Sequence, residues 1–103
     1  MLAGSNGEAV TLSTEEKVKL VHVARDVAEK AGRTRNDFAI TLGCVGQSTQ
    51  AVIADCIAGE KAGADYALII VPSYFHFAMN EAAIIAFFQS VSTSLTLPCV
   101  QTR

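Results

Sequence analysis

The strongest strand signal in the chain is the apolar run Tyr66-Ala67-Leu68-Ile69-Ile70-Val71, which Pro72 ends. Continuous apolar runs of this length are typical of strands buried on both faces of a parallel sheet. Proline stops the pairing because it has no N–H to donate to a ladder. A second mostly apolar run covers residues 38–45, and a third begins at residues 98–100. The sequence therefore predicts at least three buried strands.

Helix signals alternate with these strands. Ser13 and Glu16 form a capping box, so we predict a helix from Ser13 to about Ala31, stopped by Gly32. Its expected core face consists of Leu20, Val21, Ala24, Val27, Ala28 and Ala31, while Lys17, Lys19, Arg25, Asp26, Glu29 and Lys30 lie mostly away from that face. Two further helices are predicted, one from Ser48 to about Lys61 and one from Asn80 to about Val91.

This order of elements defines the predicted fold class. Strands and helices alternate at a spacing of about 28 residues, which predicts an α/β protein with a parallel sheet and right-handed crossovers. The spacing alone suits a (β/α)8 barrel and a doubly wound sheet equally well. A barrel takes about 250 residues. Residues 1–103 would then be a single piece of a barrel, about three of its eight units, beginning and ending within strands.

Composition excludes several classes of function. Half of the 103 residues are hydrophobic, 17% are charged and the net charge is −2, as expected for one small globular domain. The chain has no basic run, so neither nucleic acid nor an anionic membrane is an expected partner. The apolar runs are too short for a membrane span, and the N-terminus lacks the pattern of a signal peptide. Cys44, Cys56 and Cys99 lack metal-ligand spacing, so we expect reduced, packed thiols in an intracellular protein, with no bound metal.

The segment Gly4-Ser5-Asn6-Gly7-Glu8 is the main candidate for binding a ligand. Glycine allows a ligand to approach the main chain closely, while Ser5 and Asn6 supply a hydroxyl, an amide and nearby N–H groups. Such a set suits a carboxylate. The alternative is a polar turn that leaves a strand.

Four motifs occur together in a specific order. They are Gly4-Ser5-Asn6-Gly7-Glu8, the helix opening Leu12-Ser13-Thr14-Glu15-Glu16, the Gly63-Ala64-Asp65 turn and Val71-Pro72-Ser73-Tyr74-Phe75. With this order and spacing the chain resembles the dihydrodipicolinate synthase / N-acetylneuraminate lyase family of pyruvate-dependent class I aldolases. The resemblance implies a partial (β/α)8 barrel covering strands two to five, a homotetrameric parent, pyruvate as ligand and a lysine Schiff base without a cofactor.

The resemblance also implies roles for particular residues. Ser5 matches the hydroxyl of a proton relay, and Asn6 matches the next carboxylate-binding position. Tyr74 is the first of a tyrosine pair and is expected to line the substrate site or to pack between subunits. Phe75 stands where the family has a relay tyrosine donated by a neighbouring subunit, so this chain lacks that hydroxyl. His76 is interpreted as a surface residue, and Glu8 as an anchor for the loop through backbone N–H groups.

The departures from the family pattern suggest a branch. Asn6 in place of threonine favours the aldolases that cleave 4-hydroxy-2-oxoglutarate or 2-keto-3-deoxy acids. The expected location is intracellular, either cytoplasmic or mitochondrial. Dihydrodipicolinate synthase is the alternative. The four lysines fall on predicted helices, away from a barrel mouth, so none replaces the Schiff-base lysine. A third hypothesis is therefore an inactive chain that only binds a partner.

Overall fold

Three parallel strands form the centre of the fold. They are β1 (Thr41–Cys44), β2 (Tyr66–Ile70) and β3 (Cys99–Thr102), hydrogen-bonded in the order β1-β2-β3. The computed structural model describes residues 1–102. On the other side of β1, Leu2 forms a parallel bridge with Leu42, so the N-terminal segment runs like the end of a fourth strand. The predicted α/β parallel architecture is confirmed, although β1 and β2 are shorter than the apolar runs that predict them.

The first helix, α1, spans Thr14–Lys30 and begins as predicted. The Glu16 N–H donates to Ser13 Oγ at 3.2 Å, and the Ser13 N–H donates to the Glu16 carboxylate at 2.8 Å. At the other end Gly32 adopts a φ of +74°, and the Arg33 N–H bonds the Ala28 carbonyl at 2.9 Å. This left-handed ending is a conformation that glycine adopts without strain.

The other two helices also begin where the capping residues predict. Helix α2 spans Thr49–Ala62 with Ser48 as its cap, and α3 spans Glu81–Thr93 with Asn80 as its cap. Each cap side chain accepts the N–H three residues later, at 3.2 Å in α2 and 2.9 Å in α3. The chain thus alternates between strand and helix from its first residues to β3.

The buried face of α1 differs from the predicted one. Val21, Ala24 and Ala28 face the interior, but Leu20 and Val27 are substantially exposed. Lys17, predicted to lie away from the core face, is only 3% exposed. It lies one turn before Val21 and so shares its face.

Asp55 of α2 explains why a lysine is tolerated there. Its carboxylate pairs with the Lys17 ammonium and also accepts the Thr14 hydroxyl at 2.5 Å. Asp55 itself is 8% exposed, so both charges lie between α1 and α2, where each compensates the other. This interaction joins the first two helices.

A second polar cluster lies at the amino end of the sheet. Asp65 accepts hydrogen bonds from Arg25 at 2.6 Å and from the Ile40 N–H at 2.8 Å, and Arg35 lies 3.2 Å away. Burial acts to raise the pKa of the Asp65 carboxyl, but these donors together hold it below its usual range. Arg25 is thus half-buried and paired with the half-buried Asp65, contrary to the prediction that it lies mostly away from the core face.

The predicted packing of the three cysteines in the core is confirmed for two residues and wrong for one. Cys44 and Cys56 are fully buried, whereas Cys99 is exposed on β3. A hydrogen bond with the Cys44 thiol, together with burial, raises the pKa of the Cys56 thiol. Within residues 1–102, no helix is both long enough and apolar enough to cross a bilayer.

Candidate functional site

The carboxyl ends of the strands bring three loops to one edge of the sheet. Residues 4–7 follow the bridged N-terminal segment, residues 45–48 follow β1, and residues 71–80 follow β2. In α/β barrels and open parallel sheets, ligands bind at this edge, because loops from neighbouring strands converge there. The candidate residues Ser5, Asn6 and Tyr74 all lie on these loops.

Ser5 and Asn6 lie together on a short 3-10 turn, Ser5–Gly7, which the Gly7 N–H closes by bonding the Gly4 carbonyl at 3.0 Å. Both residues are exposed. Within residues 1–102, neither their side chains nor their N–H groups have a hydrogen-bond partner. They line an open cleft of about 520 Å³, whose far wall is formed by Leu68 and Ile70 of β2. The cleft thus combines free polar groups with an apolar wall.

The backbone around this turn is tightly constrained. Ala3 and Glu8, on either side of the turn, both adopt left-handed conformations, with φ of 51° and 53°. Such conformations are uncommon for residues with a Cβ and are found where surrounding structure enforces them. The predicted anchoring by the Glu8 carboxylate is not observed in the described residues. Instead the Glu8 carbonyl accepts the N–H and the hydroxyl of Thr11, at 2.9 and 2.8 Å.

Gly43 of β1 explains how Ala3 is held. A Cβ placed on Gly43 would lie 1.8 Å from the Ala3 carbonyl oxygen, so only glycine permits this approach. The Leu2 N–H donates to the Thr41 carbonyl at 2.8 Å, and the Gly43 N–H donates to the Leu2 carbonyl at 2.9 Å. The residues just before the Ser5–Gly7 turn are therefore fixed against the sheet.

Tyr74 lies at the same edge of the sheet but does not line the Ser5–Asn6 cleft. Its side chain is 74% exposed and packs edge-to-face on Phe75, with ring centroids 4.9 Å apart. Phe75 in turn contacts Phe77. His76 is exposed, in keeping with its interpretation as a surface residue. The loop after β2 thus presents a cluster of exposed aromatic rings.

The sequence analysis did not identify Gln47, which connects two of the three loops. Its side-chain oxygen accepts the N–H of Ser73 at 3.0 Å and the N–H of Tyr74 at 2.9 Å. The only sequence signal is its position, as a long polar residue three positions after β1 and directly before the helix cap Ser48. Its partners are backbone groups 26 and 27 residues away, so no side-chain motif marks the contact.

The lysines are located where the sequence predicts. Lys17, Lys19 and Lys30 lie on α1 and Lys61 lies on α2, and none of the four lines the Ser5–Asn6 cleft. Among residues 1–102, no three His, Cys, Asp or Glu side chains cluster as a metal site would require.

Comparison with known proteins identifies the family. The sequence pattern of the Dihydrodipicolinate synthetase family matches residues 1–101. This chain belongs to that family. The resemblance that its motifs indicate is therefore confirmed.

Two curated relatives carry aldolase names. The chain is 35% identical over 98 residues to the L-threo-3-deoxy-hexylosonate aldolase of Aspergillus niger, covering 94% of this chain and 29% of that protein. It is 32% identical over 98 residues to the "Probable 4-hydroxy-2-oxoglutarate aldolase, mitochondrial" of Emericella nidulans, covering 95% of this chain and 31% of that protein. The chain thus spans about three tenths of the length of these two relatives.

Part of a solved structure has the same arrangement of strands and helices as this chain. YagE, a dihydrodipicolinic acid synthase family protein of E. coli K12 solved with pyruvate, matches with a TM-score of 0.79 and 28% identity. The match covers 97% of this chain and 31% of YagE. Because the structural neighbours are barrel enzymes of this family, residues 1–102 have the fold of part of a (β/α)8 barrel, as predicted.

Proposed function

We propose that this chain forms part of a pyruvate-dependent aldolase that cleaves a 4-hydroxy-2-oxo or 2-keto-3-deoxy acid to pyruvate and an aldehyde. The observation that carries the proposal is the Ser5–Asn6 turn. The side chains and N–H groups of Ser5 and Asn6 have no hydrogen-bond partner within residues 1–102, and both residues line a cleft at the carboxyl edge of a barrel sheet. The aldolase names of two relatives support the choice of reaction.

The proposed chemistry assigns binding and proton transfer to this turn. A 2-oxo acid carries a carboxylate next to the reacting carbonyl. The Asn6 amide and the free N–H groups of Ser5 and Asn6 hold that carboxylate, because charge-assisted hydrogen bonds are the strongest available to it. The Ser5 hydroxyl, which both donates and accepts, passes a proton to or from the reacting centre. The apolar wall of Leu68 and Ile70 limits water at the site.

The remaining parts of the reaction require groups beyond this chain. A lysine Schiff base supplies the electron sink that allows the carbon–carbon bond to break. In this proposal that lysine comes from the portion of the family barrel that residues 1–103 do not cover. Tyr74 lies outside the Ser5–Asn6 cleft but at the same edge of the sheet, and in this proposal it contributes to the mouth of the complete site, either from its own subunit or across a homotetramer interface. The mitochondrial name of one relative favours that compartment over the cytoplasm.

The test uses the full-length protein with purified substrates. Treatment with pyruvate and borohydride should yield one stable adduct on a single lysine, and 4-hydroxy-2-oxoglutarate or a 2-keto-3-deoxy acid should be cleaved to pyruvate. An adduct without cleavage of either substrate, but with dihydrodipicolinate synthase activity, would move the protein to the synthase branch. Absence of any adduct would contradict the proposal and favour a chain that only binds a partner.

A further inference from the structure

Gln47 hydrogen-bonds the loop that carries Tyr74 to the loop that follows β1. Residues 73–79 follow Pro72, which has no N–H, and they form no strand. Within residues 1–102, residues 73–79 are hydrogen-bonded to the rest of the chain only through the N–H groups of Ser73 and Tyr74, which both donate to Gln47. The other hydrogen bonds of this segment are local, such as the one from the Ala78 N–H to the Phe75 carbonyl at 2.9 Å.

The orientation of the Gln47 amide follows from its partners. Both Ser73 and Tyr74 present N–H donors, so the atom between them must be an acceptor, the amide oxygen. One oxygen with two lone pairs satisfies two consecutive donors. These two hydrogen bonds fix the backbone at Tyr74, whose ring is proposed to contribute to the mouth of the site. Gln47 makes them from the loop that follows β1.

We propose that Gln47 is a positioning residue that holds the Ser73–Tyr74 backbone so that the Tyr74 side chain contributes to capture of the 2-oxo acid. The inference rests on the proposed function. Gln47 acts through Tyr74 and need not touch the substrate itself. Its role is to reduce the number of loop conformations that compete with the productive one.

The experiment compares three variants of the full-length protein. Gln47→Leu removes the acceptor at similar size, and Gln47→Glu keeps an acceptor oxygen at the same reach. Gln50→Leu is the matched control, since Gln50 is an exposed residue of α2 whose side chain forms no hydrogen bond within residues 1–102. The measurements are amide hydrogen exchange at Ser73 and Tyr74, melting temperature, and kcat/KM for cleavage of the better 2-oxo acid substrate.

Gln47→Leu should speed exchange at Ser73 and Tyr74 and lower kcat/KM by about tenfold, mainly through KM, as expected for two lost solvent-facing hydrogen bonds. The melting temperature should stay near that of the Gln50→Leu control. Gln47→Glu should restore slow exchange and return kcat/KM to within about threefold of the native protein. Equal kcat/KM for Gln47→Leu and Gln50→Leu would overturn the inference.

A double-mutant cycle separates positioning from a purely structural effect. If Gln47 acts through Tyr74, adding Gln47→Leu to Tyr74→Ala should cause little further loss of kcat/KM. Fully additive losses would overturn the inference while leaving the aldolase assignment intact. If the native protein forms no pyruvate adduct and cleaves neither substrate, the proposed function fails first, and the positioning role fails with it.

Discussion

Replacing Gly43 by alanine should detach the segment that leads into the Ser5–Gly7 turn. The new Cβ would lie 1.8 Å from the Ala3 oxygen and 2.8 Å from the Ala3 carbonyl carbon, whereas real contacts of this kind essentially never fall under 3.0 Å. The obstacle is backbone and not a flexible side chain, so Ala3 must move by roughly 1 Å or more.

The magnitude follows from the two hydrogen bonds that hold the segment. Movement of Ala3 strains or breaks the bonds at 2.8 and 2.9 Å between Leu2 and β1. Each such bond contributes about 0.5–1.5 kcal/mol net, so we expect Gly43→Ala to lower the free energy of unfolding by about 1–3 kcal/mol. Displacement of a substrate-binding group by about 1 Å can lower kcat/KM about a hundredfold. We therefore expect Gly43→Ala to reduce aldol cleavage by about tenfold to a hundredfold.

The assay combines urea unfolding, hydrogen exchange at Leu2 and steady-state cleavage in the full-length protein. Gly7→Ala is the matched control for stability, because a Cβ there meets nothing within 4 Å. That change should alter the free energy of unfolding by less than about 0.5 kcal/mol. If Gly43→Ala keeps slow exchange at Leu2 and unfolds at the same urea concentration as Gly7→Ala, the claim that Gly43 permits this contact is refuted.

Three further predictions concern charges and the lysines. Lys17→Met should lower the free energy of unfolding in urea by about 3–5 kcal/mol, because it leaves the Asp55 carboxylate buried and unpaired. Adding Asp55→Leu should recover most of that loss, and additive losses would argue against the ion pair. Because the pKa of Asp65 is lowered in the folded state, its contribution to stability is complete above about pH 4 and is lost as pH falls through the folded-state pKa. Asp65→Asn should therefore make the free energy of unfolding depend less steeply on pH below about pH 4, and an unchanged pH dependence would contradict this. Residues 1–103 alone should form no borohydride-stable pyruvate adduct, since all four lysines lie on helices; an adduct on one lysine by mass spectrometry would contradict this.

Most of the fold could be predicted because its signals are local. Ser13 with Glu16, Ser48 and Asn80 each mark a helix start within four residues of sequence, and apolar runs mark the strands. The burial of Lys17 could not be predicted, because its partner Asp55 lies 38 residues away on another helix. Helical periodicity puts Lys17 on the Val21 face, but a charge there is tolerated only when a distant group compensates it.

The candidate site was predictable to a smaller extent. Two glycines around Ser5 and Asn6 predict a ligand-binding turn. The structure places this segment at the carboxyl edge of the sheet, where the side chains and N–H groups of Ser5 and Asn6 have no hydrogen-bond partner within residues 1–102. Gln47 could not be found in the same way, because its partners are backbone N–H groups that every residue except proline carries. Likewise, the contact between Ala3 and Gly43 depends on two strands that are distant in sequence.

The measurement that tests the central claim most directly is the effect of Asn6→Ala on catalysis. A carboxylate that loses one charge-assisted hydrogen bond loses roughly 1.5–3 kcal/mol. In the full-length protein, kcat/KM for 4-hydroxy-2-oxoglutarate and for a 2-keto-3-deoxy acid should therefore fall about tenfold to a hundredfold. The melting curve should be unchanged, because Asn6 is exposed on a loop. Asn6→Thr, which keeps a hydrogen-bonding side chain, should retain pyruvate binding. Full catalytic efficiency of Asn6→Ala on both substrates would contradict the carboxylate-binding assignment and leave the segment a glycine turn between a strand and a helix.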